Sequence, residues 1–245
     1  MIYYFSGTGN SLYVARHLAD ELGERLCPMT FSAPTEDQVV GLVFPVYAWG
    51  IPNVVESFLQ KHPLGGSYLY AVMTCGDDMG YTDKVLEKAL GRKLDAAFSV
   101  LMPDVYVCLP GFDVDSKEEC KEKYAKEEIA VKEIANCIKE RKKVRRLKRG
   151  PFPWTKTYVL RPLFNRYLLT DKYFNVDASK CISCGRCQKN CPVGNILIVD
   201  EVPRWQSHCA GCLACYHACP YHAINFGKMT QKKGQYNLLR MKNEE

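Results

Sequence analysis

Short apolar runs alternate along the first part of the chain with longer segments whose apolar residues recur every three or four positions. The runs predict strands at Ile2–Phe5, Arg25–Met29, Val39–Pro45, Tyr68–Thr74 and Ala97–Met102. The segments between them predict helices at Ser11–Leu22, Pro52–Gln60 and Tyr81–Leu90, the second opened by a proline in its first turn. Several of these runs are apolar almost throughout, as strands covered on both faces are, so the pattern calls for an α/β fold: five parallel strands with helices on each side. A last amphipathic helix is predicted from Ser116 to Val144, where Cys120, Tyr124, Val131, Ile134 and Ile138 share one face.

The pattern changes after residue 144. Residues 145–176 mix Pro151, Pro153 and Pro162 with Trp154, Tyr158, Phe164, Tyr167 and Phe174, too aromatic for a flexible linker and expected to pack between domains. Charge divides the 245-residue chain in the same way: residues 1–138 hold 12 basic and 20 acidic side chains, whereas residues 139–149 hold eight basic and one acidic. The expected organisation is an acidic α/β domain (1–144), a basic and aromatic linker (145–176), a cysteine-rich domain (177–228) and a C-terminal tail (229–245).

Cysteine supplies the sharpest chemical signal, because eight of the 13 fall between Cys181 and Cys219. Cys181, Cys184, Cys187 and Cys191-Pro192 read C-x2-C-x2-C-x3-C-P, and Cys209, Cys212, Cys215 and Cys219-Pro220 repeat that spacing, a bacterial iron–sulfur signature. Three cysteines at steps of three wrap one cubane, and the fourth, displaced by a turn and followed by proline, points to the other. Cys181, Cys184, Cys187 and Cys219 are therefore expected to hold one [4Fe-4S] cluster, and Cys209, Cys212, Cys215 and Cys191 a second. A zinc module is the competing reading, but zinc knuckles bring together pairs of cysteines rather than such triplets. The stretch 177–226, with CISCGRCQKNCPVGNI and CAGCLACYHACPYHAI, resembles a bacterial two-cluster ferredoxin, a small α+β domain. The resemblance implies transfer of low-potential electrons one at a time.

A second site is expected at the ends of the predicted strands. Ser6-Gly7-Thr8-Gly9-Asn10-Ser11 follows the first strand and opens a helix, so free backbone N–H groups and the helix dipole can meet a phosphate. Neither the G-x-G-x-x-G dinucleotide fingerprint nor a P-loop is present, and a hydroxyl-lined loop without lysine suits one terminal monophosphate. Pro45, Val46, Tyr47, Ala48, Trp49 and Gly50 follow the third strand, and Thr74, Cys75, Gly76, Asp77, Gly80 and Tyr81 follow the fourth. In an open α/β sheet such loops converge on the ligand. Together these segments resemble the flavodoxin family, whose fold is a doubly wound five-stranded parallel sheet. That resemblance implies FMN, with its phosphate on Ser6–Ser11, its ring between the second and third loops, and Tyr47, Trp49 and Tyr81 as flanking aromatics. The whole chain resembles flavodoxin/ferredoxin fusion proteins of anaerobes.

The expected function is electron transfer between two [4Fe-4S] clusters and FMN, in exchange with a redox protein partner. A flavin-dependent reductase of a quinone or similar planar acceptor, built on Tyr47, Trp49 and Tyr81, is the alternative reading, and an iron–sulfur redox sensor is another. Cys75 reads as a buried structural thiol beside the flavin, and His208, His217 and His222 lack catalytic company. The basic run 139–149 is expected to dock on the acidic domain or an acidic partner, with peripheral contact to an anionic membrane as a further option and nucleic acid ranked last for want of a recognition motif. No apolar run reaches the roughly 20 residues of a membrane span, and the N-terminus does not read as a signal peptide, so a cytoplasmic protein is expected.

Overall fold

A computed structural model describes residues 1–30 and 37–236, so residues 237–245 of the expected tail lie outside the described residues. The N-terminal half is a parallel sheet of β1 (Ile2–Tyr4), β2 (Leu26–Pro28), β3 (Val39–Pro45), β4 (Tyr68–Cys75), β5 (Ala96–Leu101) and β6 (Arg145–Arg146), in the order β2-β1-β3-β4-β5-β6. All eight residues of β4 are buried, as its near-continuous apolar run requires of a central strand. Helices α1 (Asn10–Leu22) and α4 (Lys117–Lys139) cover one face through Val14, Leu18, Val131 and Ile134. Helices α2 (Asn53–Lys61) and α3 (Thr82–Leu90) cover the other, through Val55, Phe58 and Leu86. The first five strands follow the flavodoxin-like order, with the switch point between β1 and β3.

The sheet differs from the sequence expectation at its edge, where β6 adds a sixth strand opposite Ala97 and Phe98. This strand comes from the basic run because α4 stops at Lys139. Arg141 takes a left-handed conformation (φ 49°), and the Lys142 N–H reaches back to the Cys137 carbonyl. At its other end α4 is fixed by a capping box between Ser116 and Glu119.

The aromatic linker is a helical segment made of α5 (Pro153–Thr155), a π-helical turn (Lys156–Leu160) and α6 (Arg161–Tyr167). The cysteine-rich part pairs β7 (Phe174–Val176) with β10 (Ile224–Phe226) and β8 (Ile196–Val199) with β9 (Val202–Trp205), both antiparallel, and carries the short helices α7 (Arg186–Lys189) and α8 (Ala214–Ala218). Its core takes in Val107 and Cys108 from the loop after β5, so the two halves share apolar packing. The segment after β10 is no free tail as far as Tyr236: Thr230 and Tyr236 are buried, and the Lys233 ammonium donates to the Val107 carbonyl at 2.8 Å.

Candidate functional site

The phosphate-type loop opens α1 in a way that leaves its first N–H groups available. Gly9 (φ 105°) occupies the cap position without a side-chain cap, and no acidic residue stands in the first turn. The Gly9 N–H donates to Ser6 Oγ at 3.2 Å, and the Ser11 and Thr74 hydroxyls bond each other at 2.8 Å, joining the loops after β1 and β4. Asn10 is anchored by its Nδ2, which donates to the Pro103 carbonyl at 2.9 Å.

These loops border one cavity at the carboxyl ends of the strands. Ser6, Gly7, Thr8, Asn10, Ser11, Pro45, Val46, Tyr47, Ala48, Thr74, Cys75 and Gly76 line it. Twelve of the expected residues thus border one place, and Gly9 caps the helix that opens there. Five expected residues lie elsewhere. Trp49 and Gly50 point to the linker: Lys156 lies over the Trp49 ring, and a side chain at Gly50 would strike Arg161 Nε at 1.9 Å. Tyr81 lies beneath the Arg149 guanidinium and beside Tyr158, and the Gly80 and Tyr81 backbones face Thr157. Asp77 is an exposed partner of Lys148. Of the three aromatics expected to flank a ring, only Tyr47 is on the wall, so a planar-acceptor pocket built on all three does not form. The turn that separates Tyr47 from Trp49 is tight: Ala48 and Trp49 both have positive φ, and Tyr47 and Gly50 exchange two backbone bonds of 3.0 Å.

Three parts of the wall were not anticipated. The loop after β5 contributes Met102 to Tyr106, the linker contributes Phe164, Asn165 and Leu169, and the cysteine-rich part contributes Gly211, Cys212 and Leu213. The strand-end rule could have flagged Pro103 to Tyr106. No sequence rule places Cys212 there. Gly7 lies close against the cysteine-rich part, since a Cβ on it would lie 2.5 Å from Cys212 Cβ and 2.8 Å from the Tyr47 hydroxyl oxygen. Burial pushes the Cys75 thiol up to about 12, so it stays protonated on the wall.

The two cysteine runs have matching backbones. Ser183 and Gly185 in the first and Gly211 and Leu213 in the second all have positive φ, and the fourth cysteines Cys191 and Cys219 each accept an N–H from four residues on, Asn195 and Ala223, at 3.2 Å. Cys181, Cys184, Cys187 and Cys219 line one small cavity, while Cys191 is an electrostatic neighbour of Cys209, Cys212 and Cys215. Among the described residues no group of three or more His, Cys, Asp or Glu side chains is gathered tightly enough to hold one metal ion. A cubane, by contrast, spreads its thiolates over separate irons.

His217, unremarkable in the sequence, ties the halves together. Its Nδ1 accepts the Tyr236 N–H at 3.0 Å, so its Nε2–H donates to the Val105 carbonyl at 2.8 Å, and burial pushes its pKa down to about 4. Tyr236 in turn donates its hydroxyl to Asn10 Oδ1 at 2.6 Å, carrying the C-terminal segment to the phosphate-type loop.

Residues 173–220 match the family described as a 4Fe-4S dicluster domain. An uncharacterized ferredoxin of Methanocaldococcus jannaschii, MJ0722, is 36% identical over 67 residues, which cover 25% of this chain and 87% of that protein. Through this segment the chain belongs to the ferredoxins. A stretch of 45 residues is also 40% identical to YccM of Escherichia coli, named as an electron transport protein, but those residues are 18% of this chain and only 12% of YccM. A solved structure from Bacteroides uniformis, titled as a flavoprotein, covers 51% of this chain and 96% of its own at 14% identity, with a TM-score of 0.38. The ferredoxin domain marks the chain as an iron–sulfur protein of electron transfer. Among the described residues no helix is long and apolar enough to cross a membrane.

Proposed function

We propose that the chain relays electrons between two [4Fe-4S] clusters and an FMN bound in the strand-end cavity, in exchange with a redox protein partner. Cys181, Cys184, Cys187 and Cys219 would hold one cluster, and Cys209, Cys212, Cys215 and Cys191 the other. FMN supplies the step between one-electron and two-electron chemistry; position and electrostatics come from the protein. The α1 N-terminus with Ser6, Thr8 and Asn10 would bind the phosphate, and Tyr47 with the Gly76 backbone would border the ring. The observation that carries the reading is Cys212: one residue would both ligate a cluster and wall the flavin cavity, against Gly7. Electrons would then cross a protein contact rather than solvent.

Stepwise reductive titration of anaerobically purified protein, with visible absorption for flavin and EPR for clusters in one sample, tests this reading. Two reducible clusters and about one FMN per chain, exchanging electrons during the titration, are expected. No flavin uptake after FMN reconstitution would defeat the assignment of the cavity, and a single cluster would defeat that of the cysteines.

A further inference from the structure

The linker helix has one face locked into the protein and another turned outward. Thr157 is buried and donates to the Trp49 carbonyl at 3.1 Å, Arg161 donates to the Ile51 carbonyl at 3.1 Å, and Phe164 and Asn165 line the strand-end cavity. The outward face carries large apolar side chains: Phe152 is 78% exposed, Trp154 60%, Leu163 51% and Tyr167 56%, with Tyr158, Val159 and Leu160 beside them. So many large apolar groups left in water within one short helical segment mark an interaction surface. Because the inner face fixes the helix, the patch is a rigid feature rather than a frayed end.

We infer that this face docks on an anionic lipid bilayer. From Pro151 to Thr170 the chain contains three basic residues, Lys156, Arg161 and Arg166, and no acidic one; Lys156 pairs with buried Asp78, and Arg166 is exposed within the helix itself. Trp, Tyr and Phe beside Arg and Lys are the side chains that an interfacial helix places at headgroup depth. A second copy is a poor occupant, since a two-fold contact sets the same patch against itself and brings like charges together. A surface of anionic headgroups complements that charge. The basic run 139–149, by contrast, is largely engaged by the protein: Arg145 and Arg149 pair with buried Asp83, and Lys148 with Asp77. The apolar contact therefore falls on 152–167, next to the run in sequence. Docking would hold the wall made by Phe164 and Asn165 one helix width, about 10 Å, from the lipid.

Co-sedimentation of the full-length, cluster-loaded protein with phosphatidylcholine vesicles, with and without added phosphatidylglycerol, tests the inference. Binding is expected to the phosphatidylglycerol vesicles and to be roughly tenfold weaker on phosphatidylcholine alone or in high salt. A Phe152→Ser, Trp154→Ser, Leu163→Ser triple variant should lose binding, and Arg166→Glu should weaken it, both with unchanged cluster absorption and far-UV circular dichroism. Absence of binding to either vesicle, or equal binding by the triple variant, would overturn the inference. So would a dimer in solution that the triple variant turns into a monomer, because the face would then be a subunit interface.

Discussion

Gly7 is where the phosphate-type loop abuts Cys212 on the proposed electron path. Its α-carbon hydrogen faces Cys212, so even one methyl group would sit 2.5 Å from Cys212 Cβ and must push the phosphate-type loop away from the ferredoxin loop. Gly7→Ala is expected to lower bound FMN several-fold and slow flavin–cluster exchange while leaving iron content unchanged; flavin-to-iron ratios and stopped-flow reduction measure both. A second residue-scale expectation concerns Glu87, buried under the sheet edge. Burial alone would raise its carboxyl, but bonds from Arg145, the Leu94 N–H and Lys93 outweigh it and bring the pKa down to about 2 from an ordinary 4.5. The native state thus binds this proton less readily than the unfolded chain does. Its stabilisation is complete above about pH 4.5 and is lost as pH falls towards 2. Glu87→Gln should flatten the pH dependence of unfolding in that window, and identical slopes would show that the carboxylate is not held ionised.

At the scale of elements, the linker helix does more than join domains. Thr157 Oγ1 accepts the Tyr81 N–H at 2.9 Å and donates to the Trp49 carbonyl, so one hydroxyl clamps the loops after β3 and β4. Thr157→Val keeps the shape and strands both partners, which should cost about 1–3 kcal/mol in chemical unfolding. This clamp explains where the sequence was readable and where it was not. The strands, their parallel order and the loops that meet at the cavity follow from apolar runs and glycine placement, which are local signals. Trp49 and Tyr81 were misplaced because their partners, Lys156 and Arg149, lie about 100 and about 70 residues away, and no periodicity reports such a distance. The sixth strand was hidden for a similar reason: Arg145 and Arg146 look like a charged helix end, and only Glu133, Asp83 and Glu87 on neighbouring elements make them a strand edge.

At the scale of the molecule, the two halves form one body rather than two modules on a tether. The ferredoxin core includes Val107 and Cys108, the loop after β5 is held by His217 and Lys233, and Tyr236 reaches Asn10. The cysteine spacing made the ferredoxin domain legible, but nothing in it revealed that Cys212 faces the other domain, since that contact depends on how two cores dock. The proposed cluster would fix the loop Cys209–Cys215, and Gly211, Cys212 and Leu213 of that loop also wall the strand-end cavity. Loss of the cluster should therefore loosen the flavin site without touching a residue of the first 140. Stripping iron with a chelator under oxidising conditions is expected to release FMN in step with the decay of cluster absorption, followed as a rise in free-flavin fluorescence. FMN retained at full occupancy in iron-free protein would mean that the N-terminal loops hold it alone, and that Cys212 borders the site without shaping it.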